Sequence, residues 1–393
     1  MDPRTNPYAP GAGAPPPELA GRDAIIENAA IALHRIRTGL VARSLLLIGL
    51  RGVGKTVLLN RIRNDADAAG CATMLLEAPE KRSLPALLAP GLRAALLRLD
   101  RLAAGGDRVK RALRALGGFV QAMKLRYQDI EFGIDLGSEQ GVADSGDLDA
   151  DLGALLQAVG EAARDRGTLL AMFVDELQYV AQAQLAALIA ALHRCAQLQL
   201  PVTLIGAGLP QLPGQMGEAK SYAERLFEFV EVGALPDAAA RQAIIAPAAR
   251  VGVAFTPEAL HEILRQTRGY PYFLQEWGKH SWDCAPASPI GLTDVQAATE
   301  RAIAELDMSF FRVRFDRLAP SEKRYLRAMA ELGSGPHRSG DIAQAMGREV
   351  QTVAPTRAKL IEKGMIYSPS HGDTSFTVPL FDRYMRRVMP RLE

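Results

Sequence analysis

The chain is short of the residues that build crosslinked folds. Its 393 residues hold three cysteines, Cys71, Cys195 and Cys284, odd in number and far apart. That excludes a disulfide framework or a cysteine zinc site and suits a reducing cytoplasm. Long apolar runs are also missing. None reaches the roughly 18 to 20 residues that cross a bilayer, so no membrane partner is expected. The start, "MDPRTNPYAPGAGAPPPELA", lacks the basic-then-apolar order of a signal peptide and reads as a Pro/Gly-rich extended arm. Net charge is small, 46 Lys/Arg against 44 Asp/Glu, yet unevenly spread: from Phe311 to Glu393, 15 Lys/Arg face 9 Asp/Glu. A basic end points to an acidic partner, nucleic acid being the commonest kind. The length exceeds one compact core, so two or three domains are expected.

What is present begins with "GLRGVGKT", Gly49 to Thr56. It follows "SLLLIG", an apolar run that reads as a buried parallel strand. It opens into "TVLLNRIRNDADAAG", which has helical spacing and stops at a glycine. Strand, G-x-x-x-x-G-K-T and helix together make a phosphate-binding loop, where a Gly-rich turn alone would not. Gly49, Gly52, Val53, Gly54, Lys55, Thr56 and Val57 form its binding set. Backbone N–H groups and the helix N-terminus face the phosphates, Lys55 reaches the β and γ groups, and Thr56 ligates Mg²⁺. The six scattered histidines offer no further metal site.

"LLAMFVDELQYV", Leu169 to Val180, runs five apolar residues into Asp175 and Glu176 at a strand's C-terminal tip. Ligands bind at that end of open α/β sheets. Asp175 is placed to hold the Mg²⁺ shell, and Glu176 to polarise the attacking water. Paired acids there also occur as a plain helix cap. "CATMLLE", "LPVTLIGAG" and "FEFVEVG" read as further core strands.

In this order the elements resemble the AAA+ and STAND ATPases. The resemblance implies more residues. "ELAGRD" places Arg22 near the adenine. Gly269-Tyr270-Pro271 resembles the G-x-P motif, whose proline, Pro271 here, lies against the base. Tyr272 stands where AAA+ proteins usually carry a lid arginine, and "IGAGLPQ" lacks the usual polar sensor, so slow turnover and a switch are favoured. Arg225 sits where assemblies carry an arginine finger for a neighbouring subunit; pairing with an acid such as Glu228 is the alternative.

A long insertion, about residues 78–166, is largely helical, includes the alternating "IEFGIDL", and has a capped helix start at Ser145 and the acids after it. Towards the end come "SEKRYLRAMAEL", "SGDIAQAMG" and "EVQTVAPTRAKLIEKG", with Ser321 and Ser339 as N-caps and Gly347 and Gly364 as stops. "MIYSPSHGDTSFTVP" follows as two strands. That is a winged-helix pattern, used on DNA and also between proteins. Gln351, Thr352, Thr356 and Arg357 are its candidate base-facing residues, Lys359 and Lys363 its candidate phosphate contacts, and Arg338 and His371 flank the groove. With this part the chain resembles bacterial relatives of the origin-recognition ATPases.

The expected architecture is α/β: a P-loop, AAA+-like parallel sheet with a helical lid, plus a C-terminal winged-helix domain. The arm spans 1–17, the ATPase core 18–235, lid and linker 236–305, and the winged helix 306–393. The expected function is a cytoplasmic, Mg²⁺-dependent ATPase that binds ATP and ADP and switches a domain on double-stranded DNA, with homo-oligomers expected. A STAND-like signalling or defence regulator holding a protein partner is the alternative.

Overall fold

Five parallel strands form the central sheet of the computed structural model, which describes residues 1–11, 13–78, 82–101, 106–127, 129–130, 141–370 and 372–392. A 3₁₀ turn at Pro3–Thr5 and an extended arm lead into α1 (Asp23–Arg37). Then follow β1 (Ser44–Ile48), α2 (Lys55–Ala68) and β2 (Ala72–Glu77). Three helices, α3 (Leu84–Arg101), α4 (Asp107–Lys124) and α5 (Leu148–Asp165), fill the insertion before β3 (Leu170–Asp175). The core continues through α6 (Gln182–Gln197), β4 (Val202–Gly208), α7 (Leu212–Ala219), α8 (Ala223–Leu226) and β5 (Phe227–Glu231).

The strand order is β2-β3-β4-β1-β5. All five expected strands form, because strands covered on both faces must be apolar throughout. Leu46, Met74 and Met172 point into a core shared with α3 to α6, whereas Leu45, Leu47 and Phe173 pack with α1 and α2. The insertion is therefore one wall of the core that covers the sheet. "IEFGIDL" falls almost wholly outside the described residues.

The stretch expected as a lid holds four helices: α9 (Asp237–Ala249), α10 (Pro257–Thr267), α11 (Pro271–Cys284) and α12 (Leu292–Leu306). Thr256 caps α10 by accepting from the Ala259 N–H, and Gly269 just past its end has φ +71°. A π-helical turn, Asp307–Phe311, passes into α13 (Arg312–Asp316). The last part runs α14 (Pro320–Leu332), β6 (His337–Arg338), α15 (Ser339–Ala345), α16 (Val350–Glu362), β7 (Ile366–Tyr367), β8 (Asp373–Phe376) and α17 (Phe381–Val388). Its sheet is antiparallel in the order β6-β8-β7. Lid and C-terminal part share one continuous core, which Tyr8 of the arm enters.

Two expected caps shift. Pro320 fixes the first helical φ, so α14 starts two residues earlier, with Ala319 as N-cap and Glu322 accepting from the Ala319 N–H at 2.7 Å. Ser339 donates instead to the Gly372 carbonyl at 2.9 Å, tying α15 to the hairpin. The expected capped start at Ser145 and the acids after it forms, with Asp147 capping α5 and Ser145 donating to Asp151 at 2.7 Å.

Candidate phosphate-binding site

The C-terminal ends of β1 and β3 lie either side of β4 and carry the two halves of the site. Gly49 is required by packing: a Cβ there would meet the Val232 carbonyl oxygen at 2.1 Å. Gly52 and Gly54 have φ of +83° and +90°, a left-handed region that favours glycine. The loop can therefore curl and hand over to α2 at Lys55. Lys55 is 7% exposed, and its Nζ donates to the carbonyls of Gly49 and Leu50 at 2.9 Å each. Burial pushes its pKa down to about 8, against an upward pull from Glu176 and Asp175.

Opposite, Thr56 Oγ1 donates to Asp175 Oδ2 at 2.6 Å. Burial raises the Asp175 pKa, while this bond and the Glu176 N–H, 2.8 Å from Oδ1, oppose the rise. A hydroxyl and a carboxylate are the hard oxygen donors that Mg²⁺ takes. Glu176 has φ +55°, costly for a residue with a Cβ and a feature that clusters at functional sites. Its carboxylate accepts from Gln178 and lies 3.8 Å from Arg51.

A cleft of about 310 Å³ opens over the loop. Arg22, Gly52 to Val57, Glu176 and Pro271 line it, so the two halves and the lid meet there. Gly49 lies behind the loop, and Asp175 is reached through Thr56. Arg22 is buried and donates to the carbonyls of Val53 and Gly233, which makes it a brace of the loop as well as a wall. Tyr272 donates its backbone N–H to Gly52 at 3.2 Å, so the lid is bonded to the loop by main chain where a lid arginine was missed.

Sequence reasoning overlooked several lining groups. Arg314 on α13 faces the cleft with its guanidinium over the Phe310 ring, 4.0 Å from the centroid. It makes no ion pair among the described residues, and burial, then Arg51, press its pKa down to about 10. Phe310 stacks on Tyr272 at 4.8 Å. Gln178 links Glu176 to the tip of β4 by accepting the Leu209 N–H at 3.0 Å. Residues of the arm, Pro10 and Gly13 among them, cross the mouth. No local motif signals Arg314, Phe310 or the arm residues, which reach the cleft only through the fold, whereas Gln178 follows Glu176 closely in sequence and joins the site through its rotamer.

The other candidates lie elsewhere. Arg225 is exposed on α8 without an ion pair among the described residues, and Glu228 accepts from Asn28 at 2.9 Å instead. Gln351, Thr352 and Lys359 are exposed on α16, and Thr356 is half-buried. Arg357 turns back onto the hairpin, donating to Thr374 and Ser368 at 2.9 Å. Lys363 is likewise taken, by Glu322 at 2.7 Å. His371 is outside the described residues.

Residues 18–205 match the family model described as the AAA ATPase domain. Residues 308–385 match a domain of unknown function. A Walker-type ATPase of Pyrococcus abyssi is similar in structure, with TM-score 0.60 and 14% identity over 94% of this chain and 96% of that one. Two others have TM-scores of 0.46. The RuvB Holliday junction branch migration motor of Thermotoga maritima has 16% identity, covering 93% of this chain and 95% of that one. The ORC1 protein of Aeropyrum pernix has 15% identity, covering 95% and 94%. No curated protein matches. Residues 18–205 are thus similar to the AAA ATPase domain, and the α/β fold with its five-stranded parallel sheet is like that of the Pyrococcus abyssi Walker-type ATPase.

Proposed function

We propose that the chain is an Mg²⁺-dependent ATPase of slow turnover, in which the nucleotide gates a C-terminal winged-helix domain that binds double-stranded DNA. The observation that carries this reading is where the cleft draws its walls from. Loop, arm, lid and C-terminal part all contribute, and the Arg51 N–H donates to the Thr377 carbonyl at 3.2 Å. A ligand in that cleft touches every part at once, so its phosphate count can bias how they sit.

In this reading Lys55 and the loop N–H groups hold the phosphates, and Thr56 and Asp175 hold Mg²⁺. The bound Mg²⁺–ATP supplies the transferable phosphoryl group and the metal's neutralising charge. Glu176 accepts the proton of the attacking water, with Gln178 and Arg51 fixing its carboxylate. Arg314 provides a cation where the lid provides none. Slow turnover is expected because no polar residue of the β4 tip reaches the cleft.

For the C-terminal part, the order α14, β6, α15, α16, β7, β8 supports a winged-helix reading, in which α16 is the recognition helix. Gln351, Thr352 and Lys359 remain available on α16. A protein-binding, STAND-like role is the second reading, favoured by Arg357 and Lys363 being consumed inside the domain. A mobility shift on duplex DNA at low salt, with ATP and with ADP, separates them. The first reading expects nucleotide-dependent binding that falls steeply with salt through counterion release. No shift under any condition overturns it in favour of a protein partner.

A further inference from the structure

The lid holds a group of ligand-type side chains that the nucleotide chemistry leaves unused. Glu276 and His280 lie one turn apart on α11, and Glu305 faces them from α12. One donor atom from each lies within 4.8 Å of the others. His280 Nε2 is 3.0 Å from Glu305 Oε2 and 3.8 Å from Glu276 Oε2.

Burial makes the group unusual. Glu276 is 4% exposed and His280 7%, yet Glu276 Oε2 and His280 Nε2 have no hydrogen-bond partner among the described residues. A buried polar atom left unpaired costs roughly 1–3 kcal/mol, more for a charged one, so two facing each other need an occupant. His280 Nε2 and Glu305 Oε2 stand 3.0 Å apart, the contact of an ion pair when His280 is protonated. Ligand atoms held at about 2.1 Å from one ion stand roughly 3.0–3.4 Å apart, so that spacing is also the spacing of co-ligands. Lys279 Nζ donates to both Glu305 oxygens, at 3.1 Å to Oε1 and 3.3 Å to Oε2, and so orients the carboxylate from outside.

We infer that Glu276, His280 and Glu305 bind a divalent first-row transition ion, for which zinc is the best match. One imidazole and two carboxylates suit zinc, and three protein ligands leave a fourth position for water. Magnesium and calcium take oxygen ligands and more of them. Glu305 is exposed, so the ion has a route in. The site fastens α11 to α12, and α11 begins at the Pro271–Tyr272 corner that is bonded to Gly52. It is thus a clamp on the lid, independent of nucleotide. It sets aside the sequence reading that no second metal is held, since 25 residues separate His280 from Glu305 and no motif joins them.

The test uses the full chain, stripped with EDTA, reloaded with micromolar zinc chloride and desalted. Metal content is read by mass spectrometry and thermal unfolding is followed alongside. The expected result is one zinc per chain and a raised Tm that EDTA reverses. Glu305→Gln, at an exposed position that leaves the fold intact by circular dichroism, should bind zinc about tenfold more weakly or worse, and His280→Ala likewise. Lys55→Ala should keep its zinc, which separates this site from the nucleotide's metal. A wild-type chain that retains no zinc, or a folded Glu305→Gln that retains as much as wild type, overturns the proposal.

Discussion

The backbone N–H of Arg51 donates to the carbonyl of Thr377, 326 residues along the chain, at 3.2 Å. This bond ties the phosphate-binding loop to the strand end beyond β8. The same arginine's side chain donates to Tyr179 at 2.6 Å and approaches Glu176. Any movement of the loop on binding phosphate is therefore felt both at the acid pair and in the C-terminal part.

Arg314 is the sharpest consequence. It lies in the cleft without a carboxylate partner among the described residues, and the neighbouring Arg51 charge makes its own charge harder to hold. An anion between them relieves that cost. Arg314→Ala is expected to weaken ATP binding about 10- to 100-fold, the size of one lost charge-assisted hydrogen bond. ADP should be affected less, because the γ group is gone. Titration calorimetry with both nucleotides measures the difference, and equal losses would remove Arg314 from the γ-phosphate.

The lowered pKa of Lys55 gives a pH signature. A base with a folded-state pKa of about 8 holds fewer protons than the unfolded chain above that pH, so stability rises with pH from there toward the ordinary lysine value. Phosphate beside the ammonium favours the charged form and restores the pKa. Binding near pH 9 should therefore take up about one proton, and near pH 7 almost none. Calorimetry in buffers of different ionisation enthalpy reads this directly. No uptake near pH 9 would mean that Lys55 does not meet the phosphates.

Arg225 stands exposed before β5 with no ion pair among the described residues, the condition expected of a group that acts on a neighbouring subunit. ATP is expected to promote self-association. Arg225→Ala should leave binding intact while lowering turnover by about 10³, the contribution of an added guanidinium to phosphoryl transfer. Sedimentation with a non-hydrolysable analogue checks it. A monomer at micromolar concentration, or a silent mutation, discards the finger.

The sheet was legible because its strands are buried on both faces, as in "SLLLI" and "LAMFVD". The loop was legible because phosphate binding needs glycine, lysine and threonine at fixed spacing. Arg314 and Gln178 were not, since their roles depend on contacts across 100 residues or on one side-chain rotamer. Caps at Ser321 and Ser339 were misread because Pro320 and the hairpin at Gly372 decided where those helices begin. Arg357 looked free on the helix, yet Thr374 and Ser368 claim it from the hairpin. Two-residue β6 is too short to leave a periodic signal.

Adenine-nucleotide binding by the full chain with Mg²⁺ tests the central claim most directly. Equilibrium titration of wild type, Lys55→Ala and Glu176→Gln is sufficient. The account expects wild type to bind and slowly hydrolyse ATP, Lys55→Ala to lose binding, and Glu176→Gln to bind ATP and retain it uncleaved. A wild-type chain that binds no adenine nucleotide, or a Lys55→Ala chain that binds it equally well, would contradict it.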